Sequence, residues 1–385
     1  MTVDARTARD IPGLVVAIAS VTAVGLGVSL AIPLLSLTLE ARGIPPAGIG
    51  LNAAAWGLAS MVATPFVPRL AGRLGTGMLL ALSILVSAAC LPLFYLAEDF
   101  WLWFPLRLVS GAAVATTFVL SEFWISAAAP AARRGLVIAI YATVLSIGFA
   151  LGPVVLATTG TSGGLPFVVG ALIIAAAAVP VIVAPVRSPV IGKHPRGAFM
   201  RFLGAAPAAT AAAFVFGIAE SGSFALLPVY GTYVGHPASV VVLLAAAMTL
   251  GNVALQIPLG LIGDRLDRRR ILLLNAVVGM VGAALMPFVI GDLAPAFVLL
   301  FIWGGFTGGL YTVGLAHLAQ RFTGADLAAA NSAFVFCYAA GALVGPAVLG
   351  GGISFAGPHG FAIVLALCFL AYVGLVLVRI AMARR

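Results

Sequence analysis

Two ionisable side chains lie inside long apolar stretches. Glu220 sits in FGIAESGSFALLPVY with no other charged residue nearby, and Arg107 sits in PLRLVSG. Charged groups within a membrane usually face a bundle interior or a watery cavity and carry function. There, a carboxyl can take a proton from one side and release it to the other, while a guanidinium can bind an anion. Glu220 and Arg107 are therefore the candidates for proton coupling or substrate binding. The structural alternative for each is a buried hydrogen bond that only shapes its helix.

The elements that must position these residues are transmembrane helices. The chain has 385 residues, 63% hydrophobic and 8% charged, whereas soluble domains have about 45–50% apolar and about 25% charged residues. Because a span needs ~20 mainly apolar residues, we predict an all-α membrane protein with twelve transmembrane helices and no sizeable soluble domain. The apolar runs lie near 11–37, 46–68, 75–96, 101–127, 134–158, 165–185, 204–233, 237–262, 270–290, 294–320, 327–350 and 358–380.

Basic residues cluster in alternate connections between these runs. They follow spans 2, 4, 6, 8 and 10 and occur in both terminal segments, while Arg42 is alone on the other side. Since Lys and Arg near span ends stay in the cytoplasm, we expect a multi-pass protein of the cytoplasmic (inner) membrane with both termini cytoplasmic. The net charge of +9 then reflects basic residues that orient the protein in the membrane. For this reason we expect no nucleic-acid partner.

The chain contains an internal repeat. GFALGPVVL at 148–156 matches GALVGPAVL at 341–349, an offset of 193 residues. Such repeats are common in transporters, so we predict two pseudo-symmetric six-helix halves, 1–186 and 204–385, joined by a cytoplasmic loop at 187–203. Gly25 takes the position of Glu220 in the first half, so the acid belongs to one half only.

Several motifs resemble those of the major facilitator superfamily. GLIGDRLDRRR at 260–270 is similar to its loop signature Gly-x-x-x-Asp-Arg-x-Gly-Arg-Arg, although PRLAGRLGTG at 68–77 lacks the acid. RLVSG at 107–111 resembles its Arg-x-x-x-Gly element, and GFALGP resembles an element of its antiporters. EFWISAAAPAARRG and GGLYTVGLAHLAQRF look like small bacterial permeases of the drug and sugar efflux type. The resemblance implies transport by alternating access.

The resemblance also implies which residues gate and line the path. Asp264 would pair with nearby guanidinium groups, and Glu122 would supply the missing first-half carboxylate to Arg69 or Arg73; topological anchoring is the alternative. The expected gating residues are Asp264, Arg265, Arg268, Arg269, Glu122, Arg73, Gly148, Gly152, Pro153, Gly341, Gly345 and Pro346. Family helices 1, 4, 7 and 10 line the cavity, which places Tyr230 and Tyr311 beside Glu220 and Arg107. Secondary cavity candidates, for which packing is the alternative, are Asn52, Trp56, Tyr141, Asn252 and Gln256.

No enzyme motif, phosphate loop or metal-type spacing is present, and the cysteines lie singly, so we expect no catalysis, cofactor or metal. The leading hypothesis is a monomeric secondary transporter that exports a small organic solute in exchange for protons across the lipid bilayer. The alternative is uptake or facilitated transport of a carboxylate, sugar or other metabolite with Arg107 as ligand. A membrane scaffold or sensor that has lost transport is a third hypothesis.

Overall fold

The computed structural model describes residues 11–129, 134–183, 204, 206–265, 267–322 and 324–382. Twelve helical segments within these ranges are long and apolar enough to cross a membrane. We number them span 1 to span 12. The predicted fold class is confirmed. Three spans are composite: span 2 combines Pro46–Ala63, a 3₁₀ turn and Val67–Leu74; span 4 combines a 3₁₀ turn and Trp103–Ala128; span 6 combines Leu165–Ala176 and Ala178–Val183. The other helices are Ile11–Ala41, Thr76–Leu96, Arg134–Thr159, Pro207–Tyr233, Ala238–Arg265, Arg268–Val289, Leu293–Arg321, Gly324–Ala356 and Gly360–Met382.

Span 1 is longer than the sequence predicts. Its helix passes the predicted end at residue 37 and stops at Ala41, because Leu39 is buried and keeps this turn packed. Gly43 then takes a left-handed φ of 78°, and the Ile44 amide bonds to the Leu39 carbonyl. A glycine in this conformation is a common helix stop.

Span 11 also passes its predicted end, which was placed at Gly350. The helix continues through three glycines to Ala356. These glycines allow backbone contact: Gly350 lies against the Pro46 carbonyl and Gly352 against the Gly360 carbonyl. Close helix packing therefore compensates for the low helix propensity of glycine at these positions.

Large apolar side chains cover the outside of the helices. Phe288 is 83% exposed and Phe355 is 96% exposed when only protein atoms are counted. In water such surfaces would favour aggregation, whereas lipid is their natural solvent.

Aspartate side chains cap the N-terminal ends of spans 9 and 10. Asp267 accepts a hydrogen bond from the Arg269 amide, and Asp292 accepts one from the Ala294 amide.

The chain divides into two compact units. The first contains the described residues up to Ala31 together with 58–183, and the second contains 32–57 together with the described residues from 204 onward. The segment 32–57, which is part of the predicted first half, thus makes its contacts with the second unit. The predicted cytoplasmic loop at 187–203 lies outside the described residues, as do Arg6, Arg9 and the C-terminal arginines.

Span 7 is the most deeply buried of the described spans, with 83% of its central window covered by protein. Small residues make this possible. Gly217 lies against the Tyr338 carbonyl, and Gly222 lies close to Gly345 and Leu349 of span 11. Without side chains at these points, two helix backbones approach closely. This packing positions Glu220, which is on the same helix.

Candidate functional site

Span 7 and span 11 are in contact along the second-half copy of the repeated glycine motif. A Cβ on Gly341 would overlap the Phe214 carbonyl, and one on Gly345 would lie 2.6 Å from the Ile218 carbonyl oxygen. The first-half copy makes the same kind of contact, because a Cβ on Gly148 would lie 2.9 Å from the Thr22 carbonyl oxygen of span 1. Each copy therefore packs its span against the first helix of its half.

Glu220 lies on this contact and is half-buried. The Tyr338 hydroxyl of span 11 donates to its Oε2 atom at 2.6 Å. One residue further along span 7, the Ser221 hydroxyl donates to the Ala342 carbonyl oxygen at 2.8 Å. Two neighbouring hydrogen bonds thus join the helices, and one of them ends on the ionisable carboxyl.

Aromatic rings surround the Tyr338 phenol. The rings of Phe216 and Tyr338 are stacked, with 5.8 Å between their centroids. Tyr311 of span 10 is 5.6 Å from both rings, and its ring meets Phe334 edge-on at 5.0 Å. We call Phe216, Tyr311, Phe334 and Tyr338 the aromatic cluster. A carboxylate that is hydrogen-bonded to one member of an aromatic cluster is a chemical arrangement suited to an organic cation.

Two members of this site were predicted from the sequence, and the others were missed. Glu220 and Tyr311 were candidates, and Tyr338 brings them together. Tyr338 is uncharged, so it does not stand out in an apolar span as Glu220 and Arg107 do. One signal was available: Tyr338 precedes Gly341 by three residues and Gly345 by seven, and this spacing places all three on one helix face.

Arg107 lies in the first unit and is 3% exposed. Its guanidinium carbon is 5.8 Å from the centre of the Phe94 ring of span 3, within the range of a cation–π contact. The Ser110 hydroxyl bonds to its backbone carbonyl. A solute could therefore reach this guanidinium only after the surrounding helices move.

Tyr230 is fully buried within the second unit. Its hydroxyl shares a 2.9 Å hydrogen bond with His359 Nδ1, and its ring stacks on Phe361 at 5.2 Å. It follows Glu220 by ten residues, about 15 Å along the helix. The structure thus places Tyr230 in a packed cluster away from Glu220.

The secondary cavity candidates are scattered. Asn52 is fully buried and Trp56 half-buried, both on span 2. Asn252 of span 8 lies against Gly308 of span 10, and Gln256 of the same span is exposed. These residues are not members of the aromatic cluster as defined above.

The carboxylate of Glu122 accepts a hydrogen bond within the first unit. Tyr141 of span 5 donates to Glu122 Oε1 at 3.1 Å. Arg73 is exposed, and the Arg69 guanidinium lies 6.0 Å from the centre of the Phe66 ring. The first unit thus contains its own tyrosine–carboxylate pair.

Two of the other predicted gating residues, Arg268 and Arg269, lie at the start of span 9. The Arg268 Nη1 atom donates to the Ala316 carbonyl of span 10, and Arg269 uses its amide to bond Asp267. Asp264 and Arg265 belong to the last turn of span 8, and their side chains lie outside the described part. Pro153 and Pro346 both lie inside helices.

The family model described as Major Facilitator Superfamily matches this sequence over residues 17–242 and again over 209–384. The chain belongs to the major facilitator superfamily. The two matches together run through nearly all twelve spans, so the resemblance seen in the loop and glycine motifs is confirmed.

Bacterial relatives of this superfamily protein are similar over most of their length. The MFS-type transporter YfkF of Bacillus subtilis (strain 168) is 26% identical over 336 residues, 85% of both chains. Ent638_1421 of Enterobacter sp. (strain 638) is 26% identical, covering 83% of this chain and 84% of the relative. YE1530 of Yersinia enterocolitica is 27% identical over 81% of each. All three relatives are named as uncharacterized MFS-type transporters, so the chain is a superfamily transporter related to multi-pass bacterial membrane proteins.

Solved structures share the fold. The nucleoside transporter NupG superposes with a TM-score of 0.77 at 16% identity, over 97% of this chain and 99% of that one. A bacterial homologue of the human lysosomal transporter Spinster, in an inward-facing and unoccupied conformation, gives a TM-score of 0.73 at 15% identity, over 95% and 94%. At such identities the likeness shows architecture alone.

Proposed function

We propose that this transporter exports an organic cation in exchange for a proton, and that Glu220 binds both in turn. The observation that supports the proposal is the carboxyl of Glu220 held by the Tyr338 hydroxyl at 2.6 Å beside the stacked Phe216 ring. A carboxylate attracts a positive charge, and ring faces add cation–π attraction. The protein acts as a monomer in the bilayer in this proposal.

The exchange follows from charge balance at a single carboxyl. An arriving cation favours the ionised form, and so the proton leaves toward the cytoplasm as the substrate binds. After the site reaches the other side, an incoming proton neutralises the carboxyl and the cation leaves. One proton enters for each monovalent cation exported, and net charge movement is zero.

Direction depends on the gradient and on orientation. We place both termini in the cytoplasm, because Arg69, Arg73, Arg321 and the group Arg268–Arg270 all lie at span ends on one side of the topology. A membrane that is acidic outside then drives protons inward and the organic cation outward. The Asp264 loop and the Glu122 region would close the cytoplasmic side in the outward-open state.

Uptake of a carboxylate, with Arg107 as ligand, is the competing function. Its support is weaker, because Arg107 is 3% exposed and packed on Phe94. Glu220 and three of the aromatic rings, in contrast, converge from spans 7, 10 and 11.

The test uses purified protein in proteoliposomes with radiolabelled tetraphenylphosphonium and an imposed pH gradient. The wild type should accumulate the cation on the acidic side and stop when the gradient is dissipated. Glu220→Gln, which cannot ionise, should lose the gradient-driven flux. Glu98→Gln is the matched control, because Glu98 is an exposed carboxyl in the connection between spans 3 and 4, and it should retain cation accumulation. Equal loss in both variants, or undiminished flux in Glu220→Gln, would overturn the assignment.

A further inference from the structure

Span 11 has a backbone carbonyl that its own helix does not satisfy. Pro346 lies inside the helix Gly324–Ala356 and has no amide hydrogen to donate to the carbonyl four residues earlier. That carbonyl belongs to Ala342. In the structure, the Ser221 hydroxyl of span 7 donates to it at 2.8 Å. The side chain next to Glu220 thus replaces the hydrogen bond removed by the proline.

The hydrogen bond of Ser221 lies one helical turn from that of Glu220. Their acceptor and donor on span 11 are Ala342 and Tyr338, four residues apart. Residues at this spacing lie on the same side of a helix. The two hydrogen bonds therefore join the same faces of spans 7 and 11.

Span 11 also contacts a second helix, span 2, around Pro346. The Pro346 carbonyl lies against Gly50 of span 2, and Gly350 lies against the Pro46 carbonyl. Near the end of the helix, the Ala47 amide donates to Ser354 Oγ at 3.0 Å. Pro346 thus lies in a stretch of span 11 that contacts both helices, since Gly57 of span 2 lies against Leu343 and Gly222 of span 7 lies against Leu349.

The first half offers no equivalent hydroxyl. The repeat places Gly25 at the position of Glu220, Leu26 at that of Ser221 and Leu145 at that of Tyr338. The correspondence is spatial as well, since a Cβ on Gly25 would lie 2.7 Å from Leu145 Cδ1. Span 5 has Pro153, the equivalent of Pro346, but the residue at the position of Ser221 is a leucine, which has no hydroxyl to donate.

We propose that Ser221 is a positioning residue that couples the Glu220 site to the backbone of span 11 at Pro346, and through it to the contact with span 2. When Ser221 holds the Ala342 carbonyl, span 11 keeps the backbone geometry that seats Pro346 and Gly350 on span 2. When the bond breaks, this contact loosens. The role in transport rests on the proposed function, whereas the coupling itself is a property of the fold.

The first experiment is a double-mutant cycle on thermal unfolding of detergent-purified protein, which needs no substrate. Ser221→Ala should lower the unfolding midpoint. Pro346→Ala restores an amide donor to Ala342, and in that background Ser221→Ala should have less than half of its effect. Ser223→Ala is the matched control, because its hydroxyl is buried and has no hydrogen-bond partner among the described residues; it should leave the midpoint unchanged. Equal effects of Ser221→Ala in both backgrounds would overturn the proposal.

The second experiment measures the contact with span 2. Spin labels at Leu51→Cys and Val348→Cys, both exposed positions, are placed in protein whose Cys90, Cys337 and Cys368 are replaced. Ser221→Ala should add a longer distance to the distribution, while Ser221→Thr and Ser223→Ala should match the parent. This readout holds if Pro346→Ala fails to fold, and an unchanged distribution in Ser221→Ala would contradict the coupling.

The transport readout separates this proposal from the one above. Removing a hydrogen bond of about 0.5–1.5 kcal/mol should slow the maximal flux of tetraphenylphosphonium about twofold to tenfold in Ser221→Ala, with an unchanged KM, and Ser221→Thr should restore it. If the protein does not transport this cation at all, the proposed function fails, while the unfolding cycle and the spin-label distances still decide the role of Ser221.

Discussion

Gly152 of span 5 lies directly against the Ser29 hydroxyl of span 1. A Cβ on Gly152 would overlap Ser29 Oγ and would also lie 2.6 Å from the Leu26 carbonyl oxygen and from the Leu30 amide nitrogen. Gly152→Ala should therefore destabilise the folded protein by about 1–3 kcal/mol, the usual cost of overpacking. Thermal unfolding in detergent measures this effect. Gly374→Ala is the control, because nothing lies within 4 Å of its added Cβ; a lowered midpoint there would show that any added methyl group is harmful.

Tyr338 has a hydroxyl and a ring with separable roles. Tyr338→Phe keeps the ring beside Phe216 and Tyr311 and removes the donor to Glu220, so affinity for tetraphenylphosphonium should be unchanged or higher. Tyr338→Ala removes the ring face as well. A cation–π contact is worth about 0.5–2 kcal/mol, so the dissociation constant should rise about twofold to thirtyfold. Equilibrium binding of the labelled cation gives both values, and a loss of affinity in Tyr338→Phe equal to that in Tyr338→Ala would argue against the ring contact.

Arg107 distinguishes export of a cation from uptake of an anion. Arg107→Gln removes the charge that packs over Phe94 and should leave tetraphenylphosphonium binding within about twofold of wild type, because Arg107 is 3% exposed and is not part of the aromatic cluster. Thermal unfolding with a panel of carboxylates is the complementary measurement. A carboxylate that stabilises the wild type but not Arg107→Gln would favour the uptake hypothesis.

Tyr230 should contribute to the stability of the folded protein and not to substrate binding. Tyr230→Phe breaks the buried hydrogen bond to His359, which should cost about 0.5–1.5 kcal/mol, while cation affinity stays unchanged. Tyr233→Phe, on the same helix at an exposed position, is the matched control and should have no effect. A clear loss of cation affinity in Tyr230→Phe would instead return this residue to the substrate path.

The orientation of the chain is testable with reporter fusions. Green fluorescent protein fused after Arg385 should fluoresce, and alkaline phosphatase at the same position should be inactive, because both termini are expected in the cytoplasm. Fusion of the phosphatase in the connection near Gly43 should give an active enzyme. The opposite pattern would reverse the direction of the proposed exchange.

The sequence predicted the spans well because hydropathy and helix length act locally. It did not predict helix rotation, which depends on packing between distant segments. For this reason Tyr311 and Tyr230 looked alike in the sequence, yet only Tyr311 lies in the aromatic cluster. Tyr338 was missed for the same reason. The glycine motif was informative, because the spacing of its residues is enough to mark one face of a helix.

The seam between spans 2 and 11 has a mechanical consequence. Gly50, Gly57 and Gly350 bring backbone atoms into contact, so this surface has few protruding side chains to interlock. Interlocked side chains must change rotamers before one helix can slide past another. A smooth backbone surface lacks this requirement, so the energy barrier to a small shift is low. Spans 2 and 11 can thus slide along this seam, and the hydrogen bond between Ala47 and Ser354 at its end limits the sliding.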